Sequence, residues 1–127
     1  MSSCVLDSSA IIALLDEERG ADVVWSVLHR SAVSTVNLAE VYTKLNERGQ
    51  DGRTAVALIV ASLDQVEPYT HEQAVVTGVL RERTSKAGLS LGDRACLALA
   101  LSLNAEVYTS DQAWRRVKVG CTINFIR

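Results

Sequence analysis

The chain has little that stiffens or cross-links a backbone: one proline, seven glycines and three cysteines in 127 residues. Cys4, Cys96 and Cys121 form no C-x-x-C pair and sit in apolar surroundings, which argues against a disulfide framework and points to buried free thiols in a reducing compartment. Aromatic residues make up only 5% of the sequence. A core so poor in rings must be built from Val, Leu, Ile and Ala, which suit helices packed on a buried parallel sheet. Long apolar runs are missing too. The longest, Ala95–Leu101, falls far below the roughly 20 residues of a membrane-spanning helix. No basic segment precedes an apolar one near the N-terminus, so the expectation is a soluble, cytoplasmic protein with no membrane contact. Nor is there an excess of positive charge. The formal net charge of −2 gives no global attraction for a polyanion and counts against a simple DNA- or RNA-binding module. It leaves room for an enzyme that recruits cations to bind phosphate.

No low-complexity tract or solenoid-length repeat interrupts the chain, and the length suits one domain over residues 1–127 with one core. Periodicity predicts a strand near residues 3–6, then a helix from Ser8 with Ala10, Ile11, Leu14 and Leu15 on one side. A second helix is expected over residues 20–30. "SAVST" reads as a strand, and the helix after it carries Leu38, Val41, Tyr42 and Leu45 at i, i+3, i+4, i+7 spacing before Gly49. A helix over residues 52–63 leads to a strand at 65–67 that stops at Pro68. Thr70 and Gln73 have capping-box spacing for a helix reaching about Lys86. The segment from Leu91 to Leu103 is apolar nearly all round, as a buried helix is. A strand at 106–108, a short helix through Arg116 and the apolar "CTINFI" complete an alternation that predicts an α/β fold with a mostly parallel sheet.

Aspartates punctuate this alternation. Asp7 ends the first strand and Asp111 follows the strand before "DQAW"; both fall in loops that emerge at the carboxyl edge of a parallel sheet, where functional groups gather. Asp93 lies in the first turn of the apolar helix, whose N-terminal end faces the same edge. Glu40 sits in the helix after "SAVST", too deep to cap it. Taken singly, Asp7, Asp93 and Asp111 read as caps or partners of a helix dipole, and Glu40 as part of a solvated face. Taken together, four carboxylates on one edge repel one another unless a cation or a shared proton sits among them. Oxygen ligands without His or Cys select a hard ion such as Mg²⁺ or Mn²⁺, the chemistry of phosphodiester hydrolysis.

The segments "MSSCVLDSSAIIALL", "STVNLAEVYTKL", "LSLGDRACLALAL" and "VYTSDQAW" resemble, in order and spacing, the four successive motifs of PIN-domain ribonucleases, specifically the VapC-type toxins of toxin–antitoxin pairs. The resemblance covers nearly the whole chain. It implies a PIN-like three-layer α/β/α fold with a twisted, mostly parallel sheet of four to five strands flanked by helices. It also implies an Mg²⁺- or Mn²⁺-dependent endoribonuclease acting on RNA of the tRNA or rRNA class, a homodimer, and a cognate antitoxin that neutralises it. By the same resemblance Asp7, Glu40, Asp93 and Asp111 are the catalytic acids. Asp7, Asp93 and Asp111 would be the direct metal ligands and Glu40 would act through water. Ser9 and Thr109 match hydroxyl positions that support those carboxylates. Asn37 departs from the family pattern and reads as a local cap.

Arg81, Arg83, Lys86, Arg94, Arg115, Arg116 and Lys118 are candidate RNA contacts, forming a basic rim around the acids. His29 and His71 have no metal-ligand spacing and read as surface or capping residues. Trp25 and Trp114 read as core or dimer anchors. Two rival functions fit less well. A receiver-type phosphoacceptor needs an acidic pair after the first strand, where this chain has Asp-Ser-Ser. A catalytically silent PIN-like binding module would show lost acids, and all four are present.

Overall fold

The computed structural model describes residues 2–127. Five strands form a single sheet: β1 (Cys4–Leu6), β2 (Ser31–Ser34), β3 (Gln65–Glu67), β4 (Glu106–Thr109) and β5 (Ile123–Phe125). Their spatial order is β3-β2-β1-β4-β5, and every pairing is parallel. The order reverses at β1, which lies between β2 and β4. Asp7 follows that central strand and Asp111 its neighbour, so the crevice at the switch point opens between them.

Among the described residues seven α-helices flank the sheet: α1 (Ser8–Leu15), α2 (Ala21–Val27), α3 (Thr35–Glu47), α4 (Gly52–Ala55), α5 (Ala57–Ser62), α6 (His71–Thr84) and α7 (Leu91–Leu103). The strand period of two decides which side chains meet which layer. Cys4, Leu6 and Val33 turn toward α1, α2 and α3, into one cluster with Ile11, Val24 and Val41. Val5, Ala32 and Val107 turn the other way, against Leu80 of α6 and Cys96, Leu97 and Leu99 of α7. Both faces are therefore apolar, as a sheet covered on both sides requires. Helix α7 buries every residue from Ala95 to Ala100 and ends at Asn104, whose backbone takes the left-handed conformation at φ 52°.

Two local expectations fail. The helix over residues 52–63 is interrupted at Val56, whose backbone leaves helical geometry (φ −105°, ψ 8°) while its side chain is fully buried in the first cluster. Tertiary burial overrides local propensity there. The Thr70–Gln73 box is one-sided: the Thr70 hydroxyl accepts from the Gln73 N–H at 3.1 Å, but the Gln73 side chain is buried with its Oε1 unpartnered. No helix among the described residues is long and apolar enough to cross a membrane. All three cysteines are free; Cys4 and Cys96 are buried, and Cys121 is half-buried.

Candidate active site

Asp7 caps α1 from a β-extended backbone. One carboxylate oxygen accepts the Ala10 N–H at 2.9 Å and the Ser9 hydroxyl at 2.7 Å, and the other accepts the Thr109 hydroxyl at 2.5 Å. Thr109 is fully buried at the end of β4 and also accepts the Asp111 N–H at 3.0 Å. Ser9 accepts the Ser110 N–H at 2.9 Å. The two strand-to-helix turns are thereby laced together by two hydroxyls across about a hundred residues of sequence. Asp111 caps the short 3₁₀ helix Gln112–Arg116 by accepting the Ala113 N–H at 2.9 Å, and it is exposed.

Glu40 and Asp93 lie on two helices that pack together, α3 and α7. Asp93 and Ser90 form a reciprocal capping box at the start of α7: the Ser90 hydroxyl accepts the Asp93 N–H at 3.2 Å, and Asp93 accepts the Ser90 N–H at 2.9 Å. Next to it lies Gly92. A Cβ on Gly92 would come within 2.5 Å of the Glu40 carboxylate, so Glu40 lies directly on the first turn of α7. Asn37 is fully buried and ties the pair together, donating to Glu40 Oε1 at 2.9 Å and to the Gly92 carbonyl at 3.0 Å. The cap of α3 is Ser34, not Asn37, so the local-cap expectation for Asn37 is corrected. Asn37 sits a turn inside the helix with its amide aimed across the interface. A cleft of about 690 Å³ opens beside Glu40, between α3 and the start of α7, with Lys44 and Leu91 on its walls.

Electrostatics tie the acids to one region. Burial pushes the Asp7 carboxyl up to about 6, with the Asp93 charge adding to it, against the lowering effect of the Thr109, Ser9 and Ala10 hydrogen bonds. Burial also raises Asp93, helped by Asp111 and opposed by its Ser90 hydrogen bonds and Arg94. Beneath the site, the Cys96 thiol is raised by complete burial and then by Asp7, Asp93 and Glu40 together. Desolvation and repulsion from a neighbouring carboxylate both disfavour the ionised forms of Asp7 and Asp93, and a bound cation would relieve both. In kind, this oxygen-only donor set fits a hard divalent ion. In geometry, three of the acids spend an oxygen on a helix cap, and among the described residues no group of three acids, histidines or cysteines closes around an ion-sized point. An ion here would keep several of its waters, as Mg²⁺ commonly does.

The surrounding residues divide. Arg81, Arg83, Lys86, Arg116 and Lys118 are exposed. Arg94 is turned inward, donating to the Thr77 carbonyl at 3.0 Å with its Nε buried and unpartnered, and so is not a free rim cation. Arg115 stacks 4.1 Å above the Phe125 ring. His29 and His71 are exposed, Trp114 is core, and Trp25 is 59% exposed. The Ser90–Asp93 box was legible as an S-x-x-D spacing. A glycine inside an apolar helix start was the only sign of the Glu40 contact.

The PIN domain profile matches residues 4–120. The chain belongs to the PIN domain family. Solved structures share the fold of this PIN domain. The DNA-bound VapBC of Salmonella typhimurium is 18% identical with a TM-score of 0.76, and all of both chains is covered. VapBC-5 of Mycobacterium tuberculosis is 25% identical with a TM-score of 0.59, covering 98% of each chain. VapC20 of the same organism, described as a sarcin-ricin loop cleaving toxin, is 21% identical with a TM-score of 0.73, covering 86% of this PIN domain and 90% of that chain. No curated protein sequence matches. The four segments that resemble VapC-type motifs thus lie in a PIN domain, and the predicted sheet is found with five strands, all parallel.

Proposed function

We propose that this PIN domain is a divalent-metal-dependent endoribonuclease and the toxin of a cytoplasmic toxin–antitoxin pair, acting on RNA of the tRNA or rRNA class. The observation that carries the reading is Asp7, a carboxylate only 2% exposed at the switch point of the sheet, with Asp93 raising its pKa further. A fold without a use for that charge gains by replacing it. A bound Mg²⁺ or Mn²⁺ ion supplies charge neutralisation and an activated water for phosphodiester hydrolysis.

The residues of the chain divide the remaining work. Asp7, Asp93 and Asp111 hold the ion, and Glu40 acts through water. Ser9 and Thr109 fix the Asp7 carboxylate in one orientation by donating to opposite oxygens. The exposed Arg116 and Lys118, just beyond Asp111, give local positive charge for RNA phosphates in a chain whose net charge is −2.

Protein partners fit the exposed apolar surface. A groove of about 430 Å³ runs between α1, α2 and the α4–α5 segment, flanked by Leu14, Trp25 and Leu58. Leu58 is 73% exposed, which water disfavours and an antitoxin segment would cover. The solved complexes of the same fold include a toxin–antitoxin complex from Klebsiella pneumoniae, which supports such a partner. A second copy would cover the exposed Val75 and Val79 of α6.

The test is purified protein incubated with total RNA in Mg²⁺ and in EDTA, beside Asp7→Asn. Cleavage confined to the wild type in Mg²⁺ is expected. Equal cleavage in chelator or by the variant contradicts the proposal.

A further inference from the structure

Asn37 and Gly92 are tied to Glu40 by geometry that helix packing alone does not require. Asn37 is completely buried, donates one amide hydrogen to Glu40 on its own helix and the other to the Gly92 carbonyl of α7, and leaves its Oδ1 buried without a partner. Burying an amide with one end unsatisfied costs stability that an apolar residue would avoid. Gly92 is likewise the less favourable choice, since glycine is a poorer helix former than alanine. The space a Cβ would fill at Gly92 is taken by the Glu40 carboxylate, whose three outer atoms would lie 2.5–2.6 Å from it. Two unfavourable choices on facing helices therefore converge on one carboxylate.

We infer that Asn37 and Gly92 are positioning residues that hold the Glu40 carboxylate against the first turn of α7, one residue from Asp93, so that it shares the cation site. The inference deepens the metal-dependent reading above and rests on it. Asn37 fixes one oxygen of Glu40 by donating to it, and its second bond, to the Gly92 carbonyl, fixes Asn37 to α7. Glu40 is thereby referenced to the helix that carries Asp93 rather than to its own mobile side chain. Gly92 supplies the room. The three atoms nearest an alanine Cβ there all belong to the flexible end of Glu40, so the substitution is expected to displace the carboxylate and spare the fold.

The experiment is calorimetric titration of the full chain with Mn²⁺, accompanied by thermal unfolding of the metal-free protein. Wild type, Gly92→Ala, Asn37→Leu and Glu40→Ala are compared with the double variants Gly92→Ala/Glu40→Ala and Asn37→Leu/Glu40→Ala. Expected is Mn²⁺ affinity about 10- to 100-fold weaker for each single variant, the range for lost supporting contacts to a metal ligand. Neither double variant should fall below Glu40→Ala alone, because there is no carboxylate left to place. Gly92→Ala should unfold no lower than wild type without metal, which separates displacement of Glu40 from damage to the fold. Wild-type binding with an unchanged affinity in Gly92→Ala and Asn37→Leu would overturn the positioning role alone, as would losses that add fully to that of Glu40→Ala. Failure of the wild type to bind Mn²⁺ overturns the metal-dependent reading itself.

Discussion

Asp7 and Asp111 have the same local role in different surroundings. Each follows a strand, each caps the helix after it through one carboxylate oxygen, and the same Thr109 hydroxyl touches both, accepting from the Asp111 N–H and donating to the Asp7 carboxylate. Asp7 is 2% exposed and Asp111 lies open to water. The difference lies in strand order: β1 is central, with α1 and α7 closing over its end, while β4 lies one strand nearer the edge. A cap in water is ordinary structure. The same cap buried beside Asp93 is a charge in need of a counter-ion.

The largest effect is expected for Asp7→Asn, which removes a charge-stabilising ligand worth several kcal/mol, or about 10³-fold in RNA cleavage rate. Thr109→Val removes the hydroxyl that orients Asp7 and leaves the Asp111 N–H without its acceptor. A loss of about 10- to 100-fold in Mg²⁺-dependent cleavage should follow, measured at saturating RNA.

Stability against pH sharpens the contrast. In metal-free protein the folded Asp7 carboxyl titrates near 6 against 3.8 in the unfolded chain. The native state therefore holds the proton more tightly. The contribution of this group is fully present below about pH 3.8 and is lost as pH rises through about 6, a change of up to about 3 kcal/mol. Urea midpoints across that window, in EDTA, should fall for the wild type relative to Asp7→Asn. The smallest effect is expected at the exposed partner. Asp111→Asn keeps an equally good capping side chain and should move metal-free stability by less than about 0.5 kcal/mol, while still weakening cleavage.

Much of this molecule could be seen in its sequence, for identifiable reasons. Strand-to-helix alternation, the end of β3 at Pro68 and the apolar run of α7 are local signals, and they place Asp7, Glu40, Asp93 and Asp111 along one edge. The break at Val56 was not legible, because nothing local distinguishes a valine that continues a helix from one drawn into the core between α4 and α5. The role of Asn37 was hidden similarly. Its partners are Glu40 and the carbonyl of Gly92, and the second lies 55 residues away, across a helix contact that no pattern within α3 encodes. The basic rim was only partly right: Arg94 has the sequence position of a rim cation, yet it turns toward Thr77 on α6.

On the proposed reading the carboxyl edge of the sheet holds a divalent cation among acids of which Asp7 is buried, Glu40 and Asp93 are half-buried and Asp111 is exposed. Thermal unfolding at neutral pH, in chelator and then in Mg²⁺, tests it most directly with wild type and Asp7→Asn side by side. In chelator the variant, relieved of a buried charge, should unfold at the higher temperature. Adding Mg²⁺ should raise the wild-type midpoint and leave the variant where it was. A wild type indifferent to Mg²⁺, or a variant that gains as much from it, would mean that Asp7 holds no cation.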